Sequence, residues 1–216
     1  MEKVVFEKNF DECLNRNFET YSKYFDFEYK VFHEFRPTVF QIAKCLILEM
    51  NYTAITLTNH LLERLLKLAL ISKAVGVSPI PTENWNSVFE PPVKKYGSML
   101  LGNTIEQCKK ENLIDDKEKS VLFDVVRELM RNGFSHADAE KILSDLPDEV
   151  QLFEGSFSNP NNLKPVSLNP KLIPPLQSIH MESFAKANAT NYFDYIFRLI
   201  GKIEDRLISL ETIRKI

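Results

Sequence analysis

Glycine is scarce in this chain, with 6 residues among 216, and runs that alternate apolar and polar residues are short. A β-sandwich or barrel needs many tight turns and alternating strands, so this scarcity argues against an all-β fold. Leucine, lysine, glutamate and isoleucine dominate, which favours helices. At 44% hydrophobic residues the chain is long enough for one substantial core. We therefore predict an all-α protein with a single domain.

Cysteine and long apolar runs are also lacking. The three cysteines, Cys13, Cys45 and Cys108, are far apart and form no CxxC pair, so neither a disulfide framework nor a thiolate zinc site is indicated. Charged residues interrupt the start, Met1 to Lys8, before a signal peptide could form, and no later run could span a bilayer. We expect a cytoplasmic protein with reduced, packed thiols and no membrane partner.

Several motifs that carry chemistry are missing as well. The sequence contains no Walker A, GxGxxG, HExxH or GxSxG motif, and its four histidines form no HxxxH pair. Phosphate-loop chemistry and metal catalysis therefore have no support, and we expect no metal and no cofactor. The net charge of -3 gives no general attraction to polyanions, so any contact with nucleic acid needs a local basic patch.

Helical periodicity covers the first third of the chain. Residues 5 to about 36 place aromatic residues at spacings of three and four, which predicts an N-terminal helical extension ended by Pro37. These aromatic residues are expected in core or subunit packing rather than in base stacking. From residue 38 to about 75 the pattern is strongly helical, with a break near Asn51. The second half of this stretch is the most apolar helix of the chain and should lie at the centre of the helical bundle.

One narrow polar strip interrupts this apolar helix. Its members are His60, Glu63, Arg64 and Lys67, and His60, Glu63 and Lys67 lie on one side. A solvated edge would explain the strip without any function. The alternative is that it faces an active site, in which Glu63 and His60 would be supporting residues.

The second half of the chain is predicted to be helical up to a long arm. Gly76 is expected to cap the apolar helix, and an irregular, proline-rich connection should follow until helix resumes near Lys94 or Tyr96. A further helix should start at Asp115 or Asp116 and reach residue 135. The apolar side chains expected on its buried face are Leu122, Val125, Val126, Leu129 and Met130.

The last third is predicted to contain a short helix, an arm and a long final helix. Residues 137 to 146 form a short amphipathic piece, and residues 147 to 177 carry six prolines and should form a long loop or arm. The final helix, from about residue 181 to 213, has apolar residues in helical register and should close the bundle.

The segment Arg131-Asn132-Gly133-Phe134-Ser135-His136 stands at the end of the predicted 116–135 helix. It resembles the Arg-polar-x-x-x-His motif of HEPN domains. The apolar helix containing Asn59 to Lys67 is similar to an early core helix of that family, and a late amphipathic helix is expected there too. The resemblance covers residues of about 38 to 145 and 181 to 214, and excludes the extension at 1–36 and the arm at 147–177.

The resemblance implies an up-and-down helical bundle, commonly a homodimer, that acts as a metal-independent endoribonuclease in toxin–antitoxin or phage-defence systems. RNA would be the substrate and an antitoxin or another protein a possible partner. His136 would be the general base or acid, and Arg131 would hold the scissile phosphate. Asn132 would orient His136 or bind the backbone. The expected reaction is attack by the RNA's own 2′-hydroxyl, leaving a 2′,3′-cyclic phosphate.

Helix geometry limits how Arg131 and His136 could form one active site. On an α-helix, residues five apart point about 140° away from each other, so Arg131 and His136 cannot meet on one straight α-helix. Convergence would require termination of the helix near Gly133 or a second chain. Without a nuclease function, Arg131 would be a solvated arginine at a helix C-terminus and His136 a packed or capping histidine. Two other functions remain open: a non-catalytic HEPN-like module that binds RNA, nucleotide or a partner protein, and a structural oligomerisation protein.

Overall fold

A computed structural model describes residues 2–135, 142–143, 147–156 and 158–214 of the chain. Over these residues the protein is mostly helical, which confirms the predicted helical class, although one two-stranded antiparallel sheet is also present. The elements are α1 (Lys3–Tyr21), α2 (Arg36–Ile47), α3 (Asn51–Val75), α4 (Trp85–Tyr96), α5 (Leu101–Lys110), α6 (Asp116–Ser120), a π-helix π1 (Val121–Ser135), β1 (Val150–Ser156), β2 (Asn159–Leu168) and α7 (Pro174–Arg214). No helix within the described ranges has a stretch long and apolar enough to cross a membrane.

The apolar helix α3 is central, as predicted. It contacts α2, α4, α5, π1 and α7, and most of its leucines are buried in one continuous core. The expected break near Asn51 is present, because α2 ends at Ile47 and Glu49 adopts a left-handed conformation with φ of 57°. Gly76 ends α3 with φ of 94°, a conformation that glycine adopts without steric cost.

The N-terminal region differs from the predicted single helix. The helix α1 ends at Tyr21, and residues 22–35 contain two short 3-10 turns, Ser22–Tyr24 and His33–Phe35. Pro37 lies in the first turn of α2 rather than ending a helix, because a proline there loses no intrahelical hydrogen bond. The aromatic residues split between two environments. Tyr24, Tyr29, Phe32 and Phe35 are buried in the core, as expected, whereas Phe6, Phe10 and Phe18 on α1 are exposed.

A buried carboxylate fastens the connection between α1 and α2 to the last helix. Oε1 of Glu204, on α7, accepts hydrogen bonds from the backbone N–H groups of Lys30, Val31 and Phe32 at 3.2, 2.9 and 2.8 Å. The Glu204 side chain is fully buried. Because this segment has no regular partner for its amides, the carboxylate takes the place of a secondary-structure ladder.

The connection after Gly76 is more helical than expected. Instead of resuming near Lys94, the chain forms α4 from Trp85, with Pro91 and Pro92 inside the helix. Each proline removes a backbone donor. Pro92 and Tyr96 are buried, and α4 packs against α3, so burial of this face offsets the lost hydrogen bonds.

The predicted N-cap at Asp115 is confirmed. Its side chain accepts a hydrogen bond from the backbone N–H of Glu118, whose carboxylate accepts one from the Asp115 N–H in return. Glu118 is buried and also contacts Arg206 at 2.5 Å and Lys202 at 3.1 Å, both on α7. Burial alone would raise the pKa of Glu118, but the hydrogen bonds from Arg206, the Asp115 backbone and Lys202 outweigh it and lower that pKa.

The region predicted as a loop contains a β-hairpin instead. Strands β1 and β2 pair antiparallel, with Val150 opposite Leu168 and Glu154 opposite Lys164. Nearly all of the side chains described in the hairpin are exposed or half-buried, among them Phe153 and Leu163. A hairpin whose described side chains are exposed or half-buried needs no apolar face, so the alternating pattern that signals a strand is missing from the sequence.

The final helix α7 begins at Pro174, earlier than the predicted residue 181, and continues to Arg214. Pro174 and Pro175 occupy its first turn, where proline is tolerated. The apolar register on this helix is confirmed by its buried residues, Tyr192, Ile196, Leu199, Ile200, Ile203 and Leu207.

We predict that Glu118→Gln lowers the free energy of unfolding at pH 7 by about 3 kcal/mol, because Arg206 and Lys202 lose a buried negative partner. The folded pKa of Glu118 is below its unfolded value, so the stability that this charge contributes is present above the unfolded pKa of about 4.3 and is lost as the pH falls through the folded pKa. Urea unfolding at pH 7 and at acidic pH measures both effects.

The matched control is Glu106→Gln, which removes a surface partner of Lys119 and should cost less than about 1 kcal/mol. Wild type should lose more stability than Glu118→Gln on acidification, because glutamine does not titrate. If wild type and Glu118→Gln lost equal stability on acidification, the Glu118 carboxylate would not be the group whose charge stabilises the fold.

Candidate functional site

The helix that carries the Arg-Asn-x-x-x-His segment is wound as a π-helix. The buried side chains described on π1 include Leu122, Val126, Met130 and Phe134, which are spaced by four. A spacing of four drifts around an α-helix of about 3.6 residues per turn. It fits the wider turn made by i→i+5 hydrogen bonds better. Val125 is 44% exposed, so its predicted place on the buried face is wrong, and the winding is the reason.

The last turn of π1 contains most of the segment. Arg131 is half-buried, and Gly133 and Phe134 are buried. The helix does not end at Gly133 but continues to Ser135, the end that the sequence predicts for it. The backbone of Asn132 belongs to π1, while its side chain is outside the described part of the structure. His136 lies outside the described residues.

Phe134 anchors this turn in the core. Its ring packs between Tyr52, at the start of α3, and Phe184, on α7, with ring centroids 4.6 and 6.0 Å away. The turn is therefore clamped between the two longest helices of the fold, which positions the neighbouring Arg131.

A buried hydrogen-bonded chain fixes the same turn from the other side. Nδ2 of Asn59, on α3, donates to the carbonyl oxygen of Met130 at 2.8 Å, and its Oδ1 accepts a hydrogen bond from the Tyr192 hydroxyl at 2.6 Å. Burial, and then the nearby Glu63 carboxylate, raise the pKa of Tyr192 well above its ordinary value. The hydroxyl therefore stays protonated and remains a donor.

Glu63 lies one helical turn after Asn59 and pairs with Arg131. The Arg131 Nε donates to Glu63 Oε1 at 2.5 Å, and each side chain is 31% exposed. Residues four apart on a helix share a face, so Asn59 and Glu63 both point toward π1. Of the predicted site residues, the structure thus brings Glu63 and Arg131 together.

A cleft opens next to this ion pair. It has a volume of about 300 Å³ and is lined by His60, Glu63, Arg64, Lys67, Leu68, Ile71 and Gly97. The Lys67 ammonium donates to the Gly97 carbonyl oxygen at 3.1 Å, and the Arg64 guanidinium lies over the ring of Phe35, 6.0 Å from its centroid. The polar strip of α3 is therefore one wall of a cleft, and Glu63 joins that cleft to Arg131.

The cleft is locally basic in an acidic protein. Among the described residues that line it, Glu63 is the one carboxylate, and that carboxylate already bonds to Arg131. Within the described ranges, neither Arg64 nor Lys67 forms an ion pair with a carboxylate. The lining thus presents two cations that can attract an anion. Among the described residues, no three His, Cys, Asp or Glu side chains converge as a metal site.

Sequence reasoning missed two residues that build the site, Asn59 and Tyr192. Asn59 did carry a signal, because it is an amide on the apolar side of the most buried helix, and a buried amide needs partners. Which partners it would find could not be read from the chain, since Tyr192 is 133 residues away and Met130 is 71 residues away.

We predict that Asn59→Leu destabilises the protein by about 2 to 4 kcal/mol, because the Tyr192 hydroxyl and the Met130 carbonyl lose their partner inside the protein. The loss should also loosen the last turn of π1, so the amides of residues 131–135 should exchange with solvent faster. Hydrogen exchange followed by mass spectrometry measures this locally.

Thr58→Val is the matched control. It removes a buried hydrogen bond that Thr58 makes within α3, to the Ala54 carbonyl, and should cost only about 1 kcal/mol. Exchange at residues 131–135 should stay unchanged in this variant. If both variants changed exchange there equally, Asn59 would have no specific role in holding π1.

A comparison of the chain with protein-family models, with curated proteins and with solved structures finds no match.

Proposed function

We propose that this protein is a HEPN-like, metal-independent endoribonuclease that acts as a toxin or phage-defence effector, with Arg131 and His136 at its active site. The observation that carries the proposal is the position of Arg131. Its side chain is half exposed, bonds to Glu63, and stands beside a basic cleft. An arginine at a helix C-terminus with no further function needs neither a carboxylate partner from another helix nor a neighbouring cleft.

The π-helical winding also supports the proposal. Its hydrogen bonds join residues five apart, which is the spacing between Arg131 and His136 in the sequence. Residues five apart diverge less in π winding than on an α-helix, and the described winding includes Arg131 and ends at Ser135. A second chain remains a further way to complete the site, and a homodimer is part of the proposal.

The chemistry follows from the residue types. The 2′-oxygen of the RNA attacks phosphorus, the bond from phosphorus to the 5′-oxygen breaks, and a 2′,3′-cyclic phosphate results. His136 takes the proton from the 2′-hydroxyl as a base, or gives one to the 5′-oxygen as an acid. Arg131 stabilises the charge that develops on the phosphoryl oxygens. Glu63 positions Arg131, and Asn132 orients His136 or the backbone.

A second candidate is a non-catalytic module that binds RNA, nucleotide or a partner protein. The Glu63 carboxylate favours it, because a carboxylate that bonds to Arg131 competes with a phosphate for the same guanidinium. The exposed apolar residues of the hairpin, Phe153 and Leu163, would suit an antitoxin or another partner protein.

We predict that the purified protein cleaves RNA in the presence of EDTA and leaves 2′,3′-cyclic phosphate ends. His136→Ala should lower the cleavage rate about a hundredfold or more, because it removes the proton-transfer group. Arg131→Gln should lower it by a similar factor through the loss of charge stabilisation. Gel analysis of labelled RNA gives the rates, and mass spectrometry identifies the ends.

His180→Ala is the matched control, because His180 lies on α7, outside the segment 131–136, and its replacement should leave the rate unchanged. Circular dichroism checks that each variant is folded. Cleavage that survives His136→Ala at the wild-type rate would refute the assigned site. Tight RNA binding without cleavage by the wild type would favour the non-catalytic module.

A further inference from the structure

The basic cleft contains two cations that the proposed reaction does not use. Arg64 is exposed and Lys67 is half-buried, three residues apart on α3, so they lie side by side on one face. The proposed chemistry needs only a proton carrier and one arginine. Their position beside Glu63 and Arg131 therefore calls for another explanation.

Both cations are held in place by neighbouring groups. Lys67 donates a hydrogen bond to the carbonyl of Gly97, which also lines the cleft, and Arg64 lies over the ring of Phe35, which is fully buried. An ammonium that donates one hydrogen bond to a carbonyl keeps two donors for a ligand, and the guanidinium keeps its five. Long side chains on a solvated edge usually have no such restraint. Restraint lowers the entropy that binding would cost.

We propose that Arg64 and Lys67 form a binding subsite for the phosphodiester backbone of single-stranded RNA, next to the scissile phosphate that Arg131 would hold. This inference rests on the proposed nuclease function. The ligand class follows from the chemistry of the cleft. Arginine and lysine together recognise phosphate oxygens, and the described lining residues include the His60 imidazole but no Phe, Tyr or Trp ring on which a base could stack.

The overall charge sharpens this inference. The chain carries a net charge of -3, so most of its surface does not attract a polyanion. The described lining of the cleft has two cations, Arg64 and Lys67, and a carboxylate that is already paired with Arg131. It is therefore a local basic patch, which an acidic protein needs in order to contact nucleic acid. Its volume of about 300 Å³ is small and suits one or two phosphate groups rather than a whole folded ligand.

The test measures binding separately from cleavage. The probe is a short, fluorescein-labelled oligodeoxynucleotide, which has the phosphodiester backbone but lacks the attacking 2′-hydroxyl. Fluorescence anisotropy gives the dissociation constant between about 50 and 200 mM salt, where phosphate contacts weaken steeply. The double variant Arg64→Gln/Lys67→Gln removes both charges and keeps polar side chains at both positions.

The double variant should bind about tenfold or more weakly at the lowest salt, and the slope of log affinity against log salt should become shallower by about 1.4, the value for two lost contacts to a single strand. The control, Lys3→Gln/Lys8→Gln, removes the same charge from exposed positions on α1 and should bind like wild type. Thermal unfolding checks that both proteins are folded. Equal affinity and equal slope in the two double variants would overturn the inference, as would a wild type that does not bind.

The two proposals fail in different ways. If His136→Ala abolished RNA cleavage while the Arg64/Lys67 variant bound the probe normally, the nuclease function would stand and the subsite would be refuted. If no protein cleaved RNA but the Arg64/Lys67 variant lost binding, the subsite would stand and the chain would be a binding module. The variant Arg64→Gln/Lys67→Arg should regain part of the affinity that Arg64→Gln/Lys67→Gln loses, because it restores the positive charge at position 67.

Discussion

The amide of Asn59 is the interaction on which the arrangement of the candidate site depends. It is buried between the Tyr192 hydroxyl and the Met130 carbonyl, and so joins three segments that are far apart in the sequence. An apolar residue of the same size would pack the helices but leave both partners unsatisfied, at a cost of about 1 to 3 kcal/mol for each. Met130 immediately precedes Arg131 in the chain. The hydrogen bond from Asn59 to the Met130 carbonyl therefore also positions Arg131 next to Glu63. Tertiary hydrogen bonding, rather than the local sequence, therefore fixes the position of the guanidinium.

The last helix holds the molecule together through polar groups as much as through its apolar stripe. From α7, Tyr192 reaches Asn59, Arg206 and Lys202 reach Glu118, and Glu204 binds the amides of residues 30–32. Each contact satisfies a buried group that the local backbone cannot satisfy. The N-terminal connection, the start of α6 and the end of π1 are consequently oriented by one element. The site is thus built on regular, packed structure, which keeps its side chains in defined positions.

The sequence predicts those elements whose signals are local. The Asp115 cap is predicted because a carboxylate precedes Glu118 by three residues, and the end of α3 because Gly76 follows an unbroken apolar pattern. The π winding of residues 121–135 has no such signal, since Val125 and Val126 are the same residue type and only packing buries one of them. Prolines inside α4 and a hairpin whose described side chains are largely exposed also contradict the local rules. The sequence shows each half of the site separately, as the polar strip of α3 and as the segment 131–136. It does not show that they meet, because Glu63 and Arg131 are 68 residues apart in the chain.

The ion pair of Glu63 and Arg131 positions the guanidinium but contributes little to the stability of the fold. An ion pair in which each side chain is 31% exposed contributes at most about 1 kcal/mol, because water screens it and both side chains lose entropy. The pair does hold the guanidinium at the edge of the cleft in one orientation. It also neutralises the carboxylate that would otherwise repel a phosphate from Arg64 and Lys67. Arg64 and Lys67 line the cleft, so a phosphate that entered it would contact these two cations. In the proposed function, the Glu63 carboxylate would orient Arg131, and Arg64 and Lys67 would attract the ligand.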